Sequence, residues 1–152
     1  MARTVFVLNG PNLNMLGTRE PEIYGTTTLA DIEAMCHSRA EELGIAVDFR
    51  QTNSETTLVD WIQEAVTSEA AGIVINPAGH SFGSIPVLDA LKMFDWPVVE
   101  LHISNIHRRD EHHRHSIMST VATSVIAGMG AYGYVLALDG IVGLIHHGTG
   151  KP

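Results

Sequence analysis

The sequence predicts an α/β fold, a single parallel sheet of five strands with helices on both faces. Two observations carry this. Five short apolar runs alternate with segments of helical period, and the runs are nearly continuous in Val, Ile and Leu, as strands covered on both faces must be. Parallel neighbours need crossovers of a dozen or more residues, and the intervals between runs are long enough for right-handed helical connections.

Each element has its own local reason. The first run, 5–8, is Val-Phe-Val-Leu and reads as a buried strand. Thr28-Leu29-Ala30-Asp31 has the spacing of a capping box, which opens a helix extending to Leu43, and Gly44 supplies its stop. Residues 45–50 form the second strand, 55–66 a helix with Leu58, Ile62 and Val66 on one stripe, and 72–75 the third strand. A helix over 84–94, strands over 98–102 and 121–127, and a last helix over 132–144 complete five βα units, for which a flavodoxin-like strand order is expected. Residues 1–145 form one domain without repeats or linkers, and 146–152 read as a flexible tail.

Composition narrows the function classes. A chain of 152 residues with 45% apolar and 17% charged residues is long enough to bury a core and too apolar for disorder. Nine Lys plus Arg against seventeen Asp plus Glu gives −8, which disfavours nucleic acid and anionic lipid as partners. Cys36 is the lone cysteine, so no internal disulfide forms, and a reducing cytoplasm is the expected compartment. No run has membrane length, and 5–8 is too short for a signal-peptide core.

Polar residues collect at the strand ends. Asn9-Gly10-Pro11-Asn12-Leu13-Asn14 follows the first strand, Asn76-Pro77 the third, and Glu100-Leu101-His102-Ile103-Ser104-Asn105 closes the fourth. In open parallel sheets ligands bind outside the carboxyl ends of the strands, so these loops predict one polar site. The long connection over 16–26 carries Arg19 and Tyr24. A phenol is a poor base at neutral pH, but a neighbouring guanidinium favours the phenolate, which makes the pair a candidate for proton abstraction; a surface-packed Tyr is the alternative.

Taken together, N-G-P-N-L-N-M-L-G-T-R-E-P-E-I-Y-G, R-Q-T-N-S-E, I-N-P-A-G, V-E-L-H-I-S-N-I-H-R-R, R-H-S and G-Y-V-L-A-L closely resemble the type II 3-dehydroquinate dehydratase family, in order and across nearly the whole chain. The resemblance implies a flavodoxin-like subunit of a homo-dodecamer that eliminates water from 3-dehydroquinate with no metal or organic cofactor. By the same resemblance Tyr24 is the base, Arg19 its activator on a lid, Asn12 the amide near the enolate and His102 the general acid, oriented by Glu100. Asn76 and the backbone around Ile103 and Ser104 correspond to a carboxylate grip, Arg109 to a basic residue near the Tyr, and Asp89 to an acid reaching an adjacent subunit's site. The chemistry suits these roles, because an enolate mechanism needs a base on one side of the ring, a donor at the developing oxyanion and an acid for the departing hydroxyl.

Two positions depart from the family. Phe82 stands where members normally carry a His, and His113 stands where they carry an Arg; the family pattern places both against distal ring hydroxyls. A Phe cannot hydrogen-bond a hydroxyl, and a hydroxyl buried without its partner costs roughly 1–3 kcal/mol. Either 3-dehydroquinate is handled poorly, or the preferred substrate is a close cyclic hydroxy-keto carboxylate that lacks that hydroxyl. His80, two positions before Phe82, is a candidate substitute.

Two other function classes stay open. Gly79-His80-Ser81-Phe82-Gly83 fits the nucleophile elbow G-x-S-x-G between a strand and a helix, which would make Ser81 a hydrolase nucleophile; a Gly-rich turn is the plainer reading. A non-catalytic carboxylate-binding paralogue is the third class. Nine His residues invite a metal, but 107–115 misses the H-E-x-x-H and H-x-x-E-H spacings and its arginines oppose a dication, so no metal is expected.

Overall fold

A computed structural model describes residues 2–18 and 21–148, with side chains at all of these positions except 23 and 24. Its five strands are β1 (Thr4–Asn9), β2 (Ala46–Gln51), β3 (Gly72–Asn76), β4 (Val98–His102) and β5 (Ser124–Ala127). They form one sheet in the order β2-β1-β3-β4-β5, every pair parallel, which is the flavodoxin-like order expected. The helices are α1 (Pro21–Tyr24), α2 (Leu29–Leu43), α3 (Glu55–Thr67), α4 (Ile85–Lys92) and α5 (Tyr132–His146).

The two faces of the sheet bury two separate cores. Phe6, Leu8, Ile73 and Ile75 point toward α3 and α4, where they meet Leu58, Ile62, Val87 and Leu91. Val5, Val7, Val74, Val99 and Leu101 point the other way, onto Ile32 and Cys36 of α2 and Tyr134, Leu138 and Ile141 of α5. Successive residues thus serve opposite cores, which is why β1 is wholly apolar between Thr4 and Asn9 and β3 carries no polar residue before Asn76.

Helix starts follow the capping chemistry. Thr28 and Asp31 form the reciprocal capping box, at 3.1 and 2.9 Å, and Gly44 ends α2 in the left-handed region at φ 71°. Ser54 and Ser84 cap α3 and α4 through the third amide of each helix.

Most boundaries fall within a residue of expectation, and the larger differences have local causes. The last strand begins at Ser124 rather than at 121, because Ile117–Thr120 form a 3-10 turn and Val121 and Ala122 pack onto the core from it. The helix expected over 84–94 is Ile85–Lys92, with Ser84 as its cap. The final helix continues past 144 to His146, so the tail placed at 146–152 starts inside a helix; residues 149–152 lie outside those described. Within the connection over 16–26, Pro21–Tyr24 form a single helical turn.

The join between β1 and β3 sets the geometry of the polar edge. Asn9 pairs with Asn76 at the ends of the two strands, and the Gly10 amide donates to the Asn76 carbonyl at 2.9 Å. A Cβ on Gly10 would lie 2.5 Å from the Pro77 carbonyl oxygen, so only glycine lets the two loops leave the sheet side by side. Gly10→Ala should therefore destabilise the fold by about 1–3 kcal/mol, lowering Tm by several degrees in thermal denaturation; an unchanged Tm would show that the loops separate freely.

Candidate active site

The strand ends converge on a cavity of ≈ 340 Å³ at the carboxyl edge of the sheet. It is walled by Pro11, Asn12, Leu13 and Leu16 from the loop after β1, Asn76, Ala78, Gly79 and Phe82 after β3, and His102, Ile103, Ser104, Ile106, Arg109 and His113 after β4. A larger hollow, ≈ 470 Å³, opens at the opposite edge between Arg3, Trp96, Pro97 and Leu144. The charged groups lining that hollow are Arg3 and Glu69, with no imidazole or strand-end amide beside them, whereas the smaller cavity holds His102, Arg109 and His113 with three polar loops, and it lies where parallel sheets place their ligands.

Two backbones on the cavity wall are held in the left-handed region, Asn12 at φ 70° and Ala78 at φ 51°. Asn tolerates this conformation and Ala pays for it in strain, a cost that persists only where surrounding contacts enforce the loop path. For Asn12 those contacts are amides. The Asn12 N–H donates to Asn53 Oδ1 at 2.9 Å, and Gln51 Nε2 donates to the same oxygen at 3.1 Å and to the Gly10 carbonyl at 3.1 Å. For Ala78 the N–H donates to Asn76 Oδ1 at 3.3 Å.

His102 is 5% exposed and Glu100, on the same face of β4 two residues earlier, is fully buried. Their side chains meet through His102 Nε2 and Glu100 Oε2, and Ser119 Oγ donates to the other carboxylate oxygen at 2.6 Å. Burial acts most strongly on the Glu100 carboxyl and would raise it, but the hydrogen bonds from His102 and Ser119 outweigh burial and hold it below its ordinary 4.5. The carboxylate is therefore ionised at neutral pH and fixes the imidazole ring at the cavity. That is the arrangement a general acid needs.

The segment after β4 folds as two 3-10 turns, Ile106–Arg108 and Glu111–His113, each opened by a side-chain cap from Asn105 and Asp110. These turns bring Arg109 and His113 to the cavity. His113 Nδ1 lies 2.8 and 3.0 Å from the two carboxylate oxygens of Asp110, and its ring meets Phe82 edge to face, centroids 5.5 Å apart. The His113 hydrogen bond is the main reason the Asp110 carboxyl sits below its usual range. Phe82 and His113 are thus one aromatic unit of the cavity wall.

Asn12, Asn76, His102, Ile103, Ser104, Arg109, His113 and Phe82 all line this cavity, and Glu100 stands behind it. Three expectations are corrected or relocated. His80 is not among the lining residues, and its Nε2 is buried without a partner among the described residues. Ser81 is fully buried and its Oγ has no hydrogen-bond partner, so neither a base nor a substrate reaches it as a nucleophile. Asp89 is exposed on α4, 3.7 Å from Lys92, and lines no wall here. Arg19 and the Tyr24 side chain lie outside the described residues. Among the described residues no three His, Cys, Asp or Glu side chains converge to hold a metal.

Three contributors escaped the sequence reading. Gln51 and Asn53 follow β2 in an amide-rich loop, a signal like the one after β1, whereas Ser119 reaches Glu100 from 19 residues away without any local mark.

A parallel α/β domain with an imidazole, a guanidinium and aligned amides facing one cavity is built as an enzyme acting on a small polar anion. Sequence comparison makes the class specific. The profile described as dehydroquinase class II matches residues 3–142, and the chain belongs to that family. It is 53% identical over 152 residues to a 3-dehydroquinate dehydratase of Methylobacterium radiotolerans, covering 100% of this chain and 99% of that one. It is 55% identical over 139 residues to 3-dehydroquinate dehydratase 2 of Pseudomonas aeruginosa, covering 91% and 93%. The type II dehydroquinase of Propionibacterium acnes superposes with a TM-score of 0.89 at 45% identity, covering 94% of this chain and 98% of that one.

The Glu100 contacts carry a pH signature. A carboxyl lowered in the folded state stabilises the fold above its unfolded value, and that contribution is lost as pH falls through the folded value. Glu100→Gln should lower stability by roughly 1–3 kcal/mol at pH 7 and flatten the decline of Tm on acidification below 4.5. Parallel Tm profiles for variant and wild type would show that Glu100 is not held ionised by these contacts.

Proposed function

We propose that this chain dehydrates 3-dehydroquinate to 3-dehydroshikimate without a metal or organic cofactor, through an enolate formed by a Tyr24 base and broken down with His102 as acid. The observation that carries the reading is the buried Glu100 behind His102, which fixes the imidazole on the same cavity as Asn12, Asn76 and Arg109. Family membership supplies the substrate, since the relatives are named for that reaction.

The steps assign one task to each group. Asn76 and the backbone amides around Ile103 and Ser104 hold the substrate carboxylate and so orient the ring. Tyr24, as phenolate favoured by Arg19, removes the proton next to the ketone; the electron pair moves onto the carbonyl oxygen, and a water held by Asn12 donates a hydrogen bond to the resulting enolate. The enolate collapses, the ring carbon–oxygen bond breaks, and His102 protonates the departing hydroxyl as water. Tyr24 then returns its proton to solvent and His102 is reprotonated, so no net charge accumulates.

Assembly and location extend the reading. Asp89 is exposed on α4 with exposed Ile85 at the start of that helix and exposed Met93 just past its end, which suits contact with a neighbouring subunit and a homo-dodecamer in which Asp89 approaches an adjacent site. Among the described residues no helix is long and apolar enough to cross a membrane, and Cys36 is a buried free thiol, both compatible with the cytoplasm.

The decisive measurement follows the absorbance of the conjugated enone on adding 3-dehydroquinate to purified protein. Wild type should turn over, and Tyr24→Phe should lose at least ~10²-fold in kcat with fold and assembly intact. A variant keeping more than a few per cent of the rate would remove Tyr24 as the base.

The Phe82–His113 contact yields a second test. Because the two rings touch, Phe82→His and His113→Arg should couple, and the double variant should gain more in kcat/KM on 3-dehydroquinate than the two single changes combined. A gain of roughly five- to hundredfold corresponds to one restored polar contact. Wild type as efficient as an ordinary member, with no gain in the double variant, would show that the aromatic wall suits 3-dehydroquinate as it stands.

A further inference from the structure

Behind the cavity, three buried side chains from three elements form one hydrogen-bond chain. Asn9 at the end of β1 and Tyr134 on α5 are fully buried, and Asn76 at the end of β3 is 3% exposed. Asn9 Nδ2 donates to the Arg50 carbonyl at 3.0 Å, the Tyr134 hydroxyl donates to Asn9 Oδ1 at 2.7 Å, and Asn76 Nδ2 donates to the Tyr134 oxygen at 3.0 Å.

The direction of this chain is forced. A backbone carbonyl only accepts, so Asn9 must turn its NH₂ toward Arg50 and its oxygen toward Tyr134. The hydroxyl has one proton and spends it on Asn9, so toward Asn76 it can only accept. Asn76 must therefore turn its NH₂ inward to Tyr134 and its oxygen toward the Ala78 amide, which donates to it at 3.3 Å. Both ends of the Asn76 amide demand the same orientation. Burial also pushes the Tyr134 phenol upward, with the Asn76 hydrogen bond acting weakly against it, so the hydroxyl keeps its proton and the chain keeps its direction at every working pH.

Tyr134 reaches this place because α5 comes unusually close to the sheet. Gly133 sits where a Cβ would lie 3.2 Å from Leu101 Cδ1 and 3.5 Å from Ile126 Cγ2, so the first turn of α5 lies against β4 and β5 and the next residue extends inward to β1 and β3.

We infer that Tyr134 is a positioning residue for substrate binding, locking the Asn76 amide so that its second N–H, which has no partner among the described residues, faces an anionic oxygen in the cavity. An amide free to rotate would offer its carbonyl oxygen to the same ligand in part of the population and repel it. This inference rests on the dehydratase reading, in which Asn76 holds the substrate carboxylate. It adds a residue that touches no substrate and assigns it control over the charge preference of one that does.

The test is steady-state kinetics of purified Tyr134→Phe on 3-dehydroquinate, followed by enone absorbance beside a thermal melt. Removing only the hydroxyl should raise KM about tenfold while kcat changes less than about twofold and the pH profile of kcat keeps its shape, because the acid and base are untouched. On an Asn76→Ala background the same change should leave KM where Asn76→Ala alone puts it. An unchanged KM with a lowered Tm would reduce Tyr134 to a structural residue and overturn the inference. If Tyr134→Phe does not fold, Asn9→Ser weakens the same chain from its other end and should raise KM likewise; failure of both to fold would also overturn it. A wild type without turnover would instead overturn the dehydratase reading.

Discussion

The zero-offset pairing of Asn9 with Asn76 at the ends of β1 and β3 is the constraint on which the polar edge depends. Two adjacent parallel strands that end level bring two loops out at the same height, and Gly10 lets them run in contact with Pro77. From that junction the Asn12 loop turns one way, held by Gln51 and Asn53 from the β2 side, and the Ala78 loop turns the other, held by Asn76 itself. A one-residue slip would exchange the two cores and point Leu8 and Ile75 at the opposite helices, so the hydrophobic pattern protects the register that builds the cavity.

Electrostatics then separates the interior of the site from the rest of the surface. The chain carries −8, yet the segment after β4 gathers His102, Arg109 and His113 on one cavity. Each imidazole there is backed by a carboxylate, His102 by buried Glu100 and His113 by exposed Asp110. The difference in burial separates their roles. The Glu100 contact is shielded from water and holds the His102 ring firmly, whereas the Asp110 contact is solvent-screened and serves to orient His113 against Phe82.

How much of this was legible follows from the range of each interaction. Strands 98–102 and the capping box at Thr28 are local patterns and appear where the sequence puts them. The start of β5 was misplaced because Val121 and Ala122 are apolar for a different reason, packing from a turn rather than lying in the sheet. At the site, Asn12, Asn76, His102 and Arg109 were legible because the strand-end rule and the family motifs both point at them. His80 and Ser81 stand apart from Phe82 for one reason: Ala78–Phe82 form a 3-10 helix, whose threefold turn sends neighbouring side chains in different directions, and of these three residues Phe82 lines the cavity. Ser119, Tyr134 and the amide pair Gln51 and Asn53 act across 19, 58 and about 40 residues of chain, distances at which no spacing rule reads contact.

The same distinction explains why Phe82 and His113 shape the cavity wall apart from the His102–Glu100 contact. Glu100 meets His102 and Ser119 through its two carboxylate oxygens, and neither Phe82 nor His113 supplies those contacts. They do touch each other, across 31 residues of chain, and Asp110 secures the pair from outside. An aromatic edge-to-face contact is favourable only when both partners are present, which makes a single reversion at either position leave an unmatched neighbour. Two residues that meet in space behave as one structural unit, a packed aromatic stretch of the cavity wall, while His102, Glu100 and Asn76 keep hydrogen-bond partners of their own.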